Sequence, residues 1–192
     1  MTATELEQVL DTMTILVDTR EQDTERARRR YASFGVSTER AVLDYGDYTW
    51  QFGVCGIMYH DTTKRIVPKV AVERKMSLDE LAQCFTHDRK RFNAEMIRAK
   101  EAGGRIFLLC ENSSWENLIT GKYRSKFSPS AFIASIVAWS IRYDLQVIFC
   151  KEETTGRLIK EILYRDLKER LSNETEKEEA RWVHQIMEEN AR

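Results

Sequence analysis

The sequence predicts an α/β fold, and two observations carry that expectation. Apolar runs of strand length alternate with longer stretches of helical periodicity along the whole chain. The 192 residues, 42% of them hydrophobic, are enough for one domain with a real core, and no apolar run approaches a membrane span.

The elements follow in order. Met13 to Asp18 is a short apolar run ending in an acid, and Thr24 to Phe34 is helix-compatible until Gly35 stops it. Val36 to Leu43 leads to a turn at Gly46, and Tyr48 to Tyr59, with Gly53 and Gly56, reads as a hairpin. Ile66 to Lys75 is strand-like except at Pro68, which predicts an edge position or a strand start because proline cannot donate to a ladder. Ser77-Leu78-Asp79-Glu80 has capping-box spacing and opens a helical stretch to Ala102, with a break near Thr86. Gly103 and Gly104 close that stretch, and Arg105 to Cys110 is a buried strand. Ser128 and Pro129 form an N-cap and first helical position, followed by a wide apolar face of Phe132, Ile133, Ile136, Val137, Trp139 and Tyr143. Leu145 to Cys150 is the last strand. Ile159, Ile162, Leu163, Leu167 and Leu171 mark an amphipathic helix that ends the body, residues 1–171. A charged helical extension, 172–192, is expected to be helical over Glu174 to Asn190, with Trp182, Val183, Ile186 and Met187 as its apolar stripe.

Chemistry concentrates in three acidic segments: Val17-Asp18-Thr19-Arg20-Glu21, Tyr45-Gly46-Asp47-Tyr48, and Val72-Glu73-Arg74-Lys75 followed by Asp79. Hard divalent cations take oxygen ligands, commonly one or two carboxylates together with substrate phosphate. In an extended Val70–Lys75, Glu73 and Lys75 share one face, so a metal ligand stands beside a cation able to orient water or neutralise developing charge. An Asp near such a Glu-x-Lys points to phosphodiester hydrolysis. Glu73 also closes a Val-Ala-Val run, a costly place for an acid unless a charged partner meets it. Each acid has an ordinary reading as well: Asp18 as a helix cap, Glu21 and Asp79 as first-turn acids, Gly46-Asp47 as a plain turn.

In this order the segments resemble the XPF-type nuclease domain of the PD-(D/E)xK superfamily, whose pattern is Val-Asp-x-Arg-Glu, then Gly-Asp, then Glu-Arg-Lys-x-x-x-Asp. Glu73 to Asp79 fits the last without a gap, and the resemblance runs from Ile15 to Leu171. It implies a restriction-endonuclease-like mixed sheet flanked by helices and a Mg²⁺- or Mn²⁺-dependent endodeoxyribonuclease that leaves 5′-phosphate and 3′-hydroxyl ends. Asp47, Glu73 and the Arg74 backbone carbonyl would bind the metal, with Asp18 joining directly or through water. Lys75 would place or activate the nucleophile. Glu21 would belong to the site through water, Asp79 is divided between chemistry and support, and Arg20 and Arg74 would hold carboxylates or phosphate. One departure stands on the helix after the catalytic strand: Asp88 replaces a Gly, and Glu95 or Asn93 stands near the family's Gln.

The formal net charge of −1 is not that of a strongly basic DNA binder. Residues 172–192 carry six acids and three bases, leaving the first 171 residues at +2. Local clusters remain: Arg26, Arg28, Arg29 and Arg30; Arg89, Lys90 and Arg91; and Lys122, Arg124 and Lys126. Each is a solvated face or, beside an acidic metal site, a phosphate contact, and the last two are the expected phosphate contacts. Four cysteines without zinc spacing read as reduced core residues, and the N-terminal segment lacks a signal-peptide pattern, so a cytoplasmic protein is expected, nucleoid-associated if bacterial or phage. Cellular members of the resembled family add helix-hairpin-helix repeats. Only 21 residues follow Leu171 here, which fits a stand-alone bacterial or phage form acting on branched, flap or junction DNA in repair or recombination. A homodimer, or a partner supplying recognition, is expected through the last helices. The competing readings are a catalytically weak junction-binding subunit, a scaffold, and a restriction-like nuclease directed at invading DNA.

Overall fold

The computed structural model describes residues 1–172 and 177–191. Six strands, β1 (Thr14–Asp18), β2 (Thr38–Ala41), β3 (Tyr48–Gln51), β6 (Val70–Lys75), β7 (Arg105–Glu111) and β8 (Gln146–Cys150), make one mixed sheet in the order β2-β1-β3-β6-β7-β8. A separate two-stranded hairpin joins β4 (Gly53–Val54) to β5 (Ile57–Met58). Every pairing in the large sheet is parallel except those of β3, which runs antiparallel to both β1 and β6. The start of β3 therefore lies between the C-terminal ends of β1 and β6, and this brings the three acidic segments to one edge.

Strand periodicity divides the core into two layers. Val70 and Val72 join Ile15, Val17, Tyr48 and Trp50 on one face. Over that face pack α1 (Ala3–Asp11), α2 (Glu25–Ala32), α7 (Glu152–Ser172) and α8 (Glu178–Asn190). Ala71 joins Ile106, Leu108 and Cys110 on the other face, beneath α3 (Leu78–Phe85), α4 (Arg89–Glu101), α5 (Trp115–Ile119) and α6 (Pro129–Tyr143). Ile159, Leu163, Leu167 and Leu171 of α7 are all fully buried at a spacing of four, and each such side chain contributes about 1.5–3 kcal/mol.

The expected elements stand with several corrections. Tyr48 to Tyr59 is not one hairpin: β3 enters the main sheet, and the chain turns back only at Cys55-Gly56, both at positive φ. β6 is a central strand, so Pro68 marks the approach to it and not an edge. The helix break at Thr86 is present, between α3 and α4. Val137 leaves the core face and is 45% exposed, because the buried positions of α6 are Phe132, Ile136 and Trp139. Two helices were not anticipated, α1 and α5. The first carries a complete capping box between Thr2 and Glu5, a signal present in the sequence. All four cysteines are free, and Cys55 departs from the core reading by standing exposed in the tight turn.

The expected start of the terminal helix at Glu174 lies outside the described residues. From Glu178 onward, α8 seats Val183 and Ile186 in the first core, and Trp182 meets Phe52 and Tyr59 edge-on. Its stripe is thus covered by this chain itself. Among the described residues no helix is long and apolar enough to cross a membrane.

Candidate active site

At the end of β6, Glu73 and Lys75 share the α3–α4 side of the sheet, and Lys75 Nζ donates to Glu73 Oε1 at 2.5 Å. The ammonium also lies 5.8 Å from the Phe92 ring centre and 4.0 Å from Glu80. Glu73 is 5% exposed. Asp47, immediately before β3, is held against it by backbone bonds: its N–H donates to the Val72 carbonyl at 2.9 Å, and its Oδ2 accepts from the Arg74 N–H at 2.8 Å. Burial, followed by the charge of Glu73, pushes the Asp47 carboxyl well above its usual range, with Lys75 opposing. Burial works against the Lys75 ammonium, but Glu73 and Asp47 outweigh it and raise its pKa. The result is two mutually repelling carboxylates and one captive cation.

Asp18 is brought beside this group, yet its bonding is already complete. Its Oδ1 accepts from the Arg20 N–H at 2.7 Å and Nε at 2.6 Å, and its Oδ2 from the Leu43 N–H at 2.9 Å and the Arg20 guanidinium at 3.2 Å. A carboxylate offers about four lone-pair sites, and these bonds occupy them, which favours a contact of Asp18 with a metal through water over direct ligation. Asp18 organises the strand end and holds Arg20, whose side chain is 61% exposed. The carboxylates of Asp18, Glu95 and Asp47 all favour the charged Arg20.

Glu21 and the Arg74 side chain face another network. Glu21 accepts from the Tyr48 hydroxyl at 2.8 Å and from Arg30 at 3.4 Å, and Arg74 lies 3.6 Å away. Arg74, with its side chain 11% exposed, also reaches Glu111, which is fully buried and further paired with Arg26 and Arg30. Of the two roles expected for Arg74, holding carboxylates or phosphate, the contacts made here are with carboxylates, and through Glu111 its guanidinium ties β6 to β7. Glu21 supports this network and lies near enough to Asp47 for its charge to raise the Asp47 pKa. Sequence reasoning missed Glu111, and named Arg30 only as part of a basic cluster. The one available signal was an acid closing the apolar run of β7, the same anomaly that marks Glu73.

For Asp79, divided between chemistry and support, the bonds made are those of support. At the start of α3, behind the Ser77 N-cap, it accepts from the backbone N–H groups of Arg124 and Ser125, each at 2.7 Å, and from Arg124 Nε at 3.3 Å. These bonds outweigh the effect of burial and lower its pKa. They fix the loop that carries Lys122, Arg124 and Lys126, three exposed cations separated by the half-buried Tyr123 and Ser125. An open groove of about 750 Å³ runs between that loop and α3, lined by Asp79, Gln83, His87, Arg124 and Lys126. Arg89, Lys90 and Arg91 are exposed on the first turn of α4. Further along α4, Asn93 is engaged by the Tyr143 hydroxyl at 2.6 Å, whereas Glu95 turns to the site and accepts from the Gly46 N–H at 2.8 Å.

Among the described residues no three His, Cys, Asp or Glu side chains form a ready-made metal cage. The donor set nevertheless fits a hard divalent cation: two close carboxylates with a strand-end backbone carbonyl, leaving positions for water and phosphate.

The family model for the ERCC4 domain matches residues 17–162. No curated protein matches the chain. Among solved structures, XPF from Aeropyrum pernix superposes with a TM-score of 0.55 at 20% identity, covering 80% of this chain and 61% of that one. A second structure, XPF from Aeropyrum pernix in complex with DNA, gives a TM-score of 0.55 at 21% identity, covering 82% and 66%. The chain thus spans less than two thirds of either solved chain, and these likenesses show the nuclease fold.

Proposed function

The chain belongs to the ERCC4 domain family, and on that premise we propose that it is a Mg²⁺- or Mn²⁺-dependent DNA endonuclease acting at branched, flap or junction DNA. The observation that carries the reading is the convergence of Asp47, Glu73 and Lys75 where the start of β3 meets the end of β6. Asp47, Glu73 and the Arg74 carbonyl would hold the ion. Once held, the ion supplies Lewis acidity at the scissile phosphate and makes water a better nucleophile at neutral pH. Lys75 keeps its proton and sets the position of the attacking water, while Arg20, fixed by Asp18, meets a phosphate oxygen. Attack by water on phosphorus breaks the P–O3′ bond, giving a 5′-phosphate and a 3′-hydroxyl.

Lys122, Arg124 and Lys126 on the loop pinned by Asp79, with Arg89, Lys90 and Arg91, form the phosphate-binding surface in this reading. A second copy of the chain would dock on α6 and not on the last helices, whose stripes are covered. Val137 and Ile141 stand 45% and 81% exposed there, with Ile119 of the adjoining α5 at 57%. A role in repair or recombination is consistent with a branched substrate.

The test is cleavage of a panel of single-stranded, duplex, flap, fork and four-way-junction DNAs with Mg²⁺ or Mn²⁺. Faster cutting of the branched members is expected. Tight junction binding without cutting would favour a binding subunit, and equal cutting of plain duplex would remove structure selectivity.

A further inference from the structure

Asp47 owes its position to the turn before it. Gly46 adopts φ +74°, and a Cβ there would lie 2.5 Å from the Ala71 Cβ, so the turn is pressed flat against β6. The Asp47 peptide is fixed on both sides, by its own N–H to Val72 and by the Asp18 N–H donated to its carbonyl, both at 2.9 Å. The Gly46 N–H has a different kind of partner, the carboxylate of Glu95, reaching across from α4 at 2.8 Å. Glu95 is half-buried. Burial and the nearby Glu73 raise its pKa, while the Gly46 N–H, Arg20 and Lys75 favour its charge. A further carboxylate near Glu73 is electrostatically adverse, and the bond from Gly46, with Arg20 and Lys75, opposes that cost.

We propose that Glu95 is a positioning residue: it clamps the Gly46-Asp47 turn from α4 and thereby holds Asp47 opposite Glu73. The inference rests on the nuclease reading for its consequences in metal binding and turnover, but not for the clamp itself. Its contribution comes from reach and acceptor geometry. Glu95→Gln keeps an acceptor at the same reach without the charge. Glu95→Asp keeps the charge but falls a methylene short, and Glu95→Ala removes both.

The experiment compares these variants with the wild-type chain by three readouts: hydrogen exchange of the Gly46 amide by NMR, Mn²⁺ affinity by calorimetry, and turnover and KM on the best DNA substrate. Glu95→Ala and Glu95→Asp should speed Gly46 exchange, weaken Mn²⁺ binding by about 10-fold or more, and lower kcat with KM little changed. Glu95→Gln should restore all three towards wild type. Unchanged Gly46 exchange in Glu95→Asp overturns the clamp, and a Gln variant as impaired as the Asp variant overturns the claim that reach and not charge matters. Should Glu95→Ala fail to fold, the Gln and Asp pair still decides. A wild type that neither binds Mn²⁺ nor cuts DNA would refute the nuclease reading while the Gly46 exchange still tests the clamp.

Discussion

Glu73 stands 5% exposed at the end of an apolar run, where an unpaired carboxylate would cost several kcal/mol. Lys75 offsets part of that cost, but Asp47 and Glu73 still repel each other. Asp47→Asn should therefore abolish cleavage while leaving the metal-free protein at least as thermally stable as wild type, as read by calorimetric melting. A large fall in melting temperature would make Asp47 a structural acid. Lys75→Ala should lower turnover by roughly 10² or more and retain Mn²⁺ binding; lost binding would mean that the lysine mainly holds Glu73 in shape. Asp47, Glu73 and Lys75 were legible in the sequence because motif order and strand periodicity fix them. The Arg20 bonds of Asp18 are local, but the remaining partners, Leu43 for Asp18, Tyr48 for Glu21, Glu111 for Arg74 and Ser125 for Asp79, are distant in sequence and meet them only through packing.

Among the elements, β3 decides the site, since its reversed direction puts Asp47 between two parallel strand ends. The sequence showed β3 only as half of a hairpin, because local periodicity does not reveal which strand a segment pairs with. The loop at 122–126 gives a second test of placement. Asp79→Ala should weaken DNA binding with Mn²⁺ affinity unchanged, and replacing Lys122, Arg124 and Lys126 with Ala should flatten the salt dependence by up to about three phosphate contacts. An unchanged slope would make the loop a solvated surface. Close to the β4–β5 hairpin, His60 stacks on Trp50, and burial, then Lys69, lower its pKa from 6.5 to about 4. Stability from this neutral imidazole is full above pH 6.5 and is lost as pH falls towards 4, about 3 kcal/mol at most. Urea unfolding at pH 7 and pH 5 should show that loss in wild type and less of it in His60→Phe; equal losses would assign the acid sensitivity elsewhere.

For the whole molecule, the α/β class and the order of the main elements were readable from alternating periodicities. The fate of the last helix was not, because an apolar stripe looks the same whether its own core or another chain covers it. Here α7 and α8 face inward, and uncovered apolar surface lies on α6. Light scattering at micromolar concentration should give a dimer mass for wild type and a monomer mass for Ile141→Glu; a monomer mass for both removes the dimer. Metal-dependent cleavage at Asp47 and Glu73 is tested by single-turnover cutting of an end-labelled forked DNA by wild type and Glu73→Gln, with Mn²⁺ and with EDTA. Cutting is expected only from wild type with Mn²⁺, leaving a 5′-phosphate and a 3′-hydroxyl, whereas cutting in EDTA or full activity in Glu73→Gln would overturn the assignment of Glu73 to a metal-dependent site.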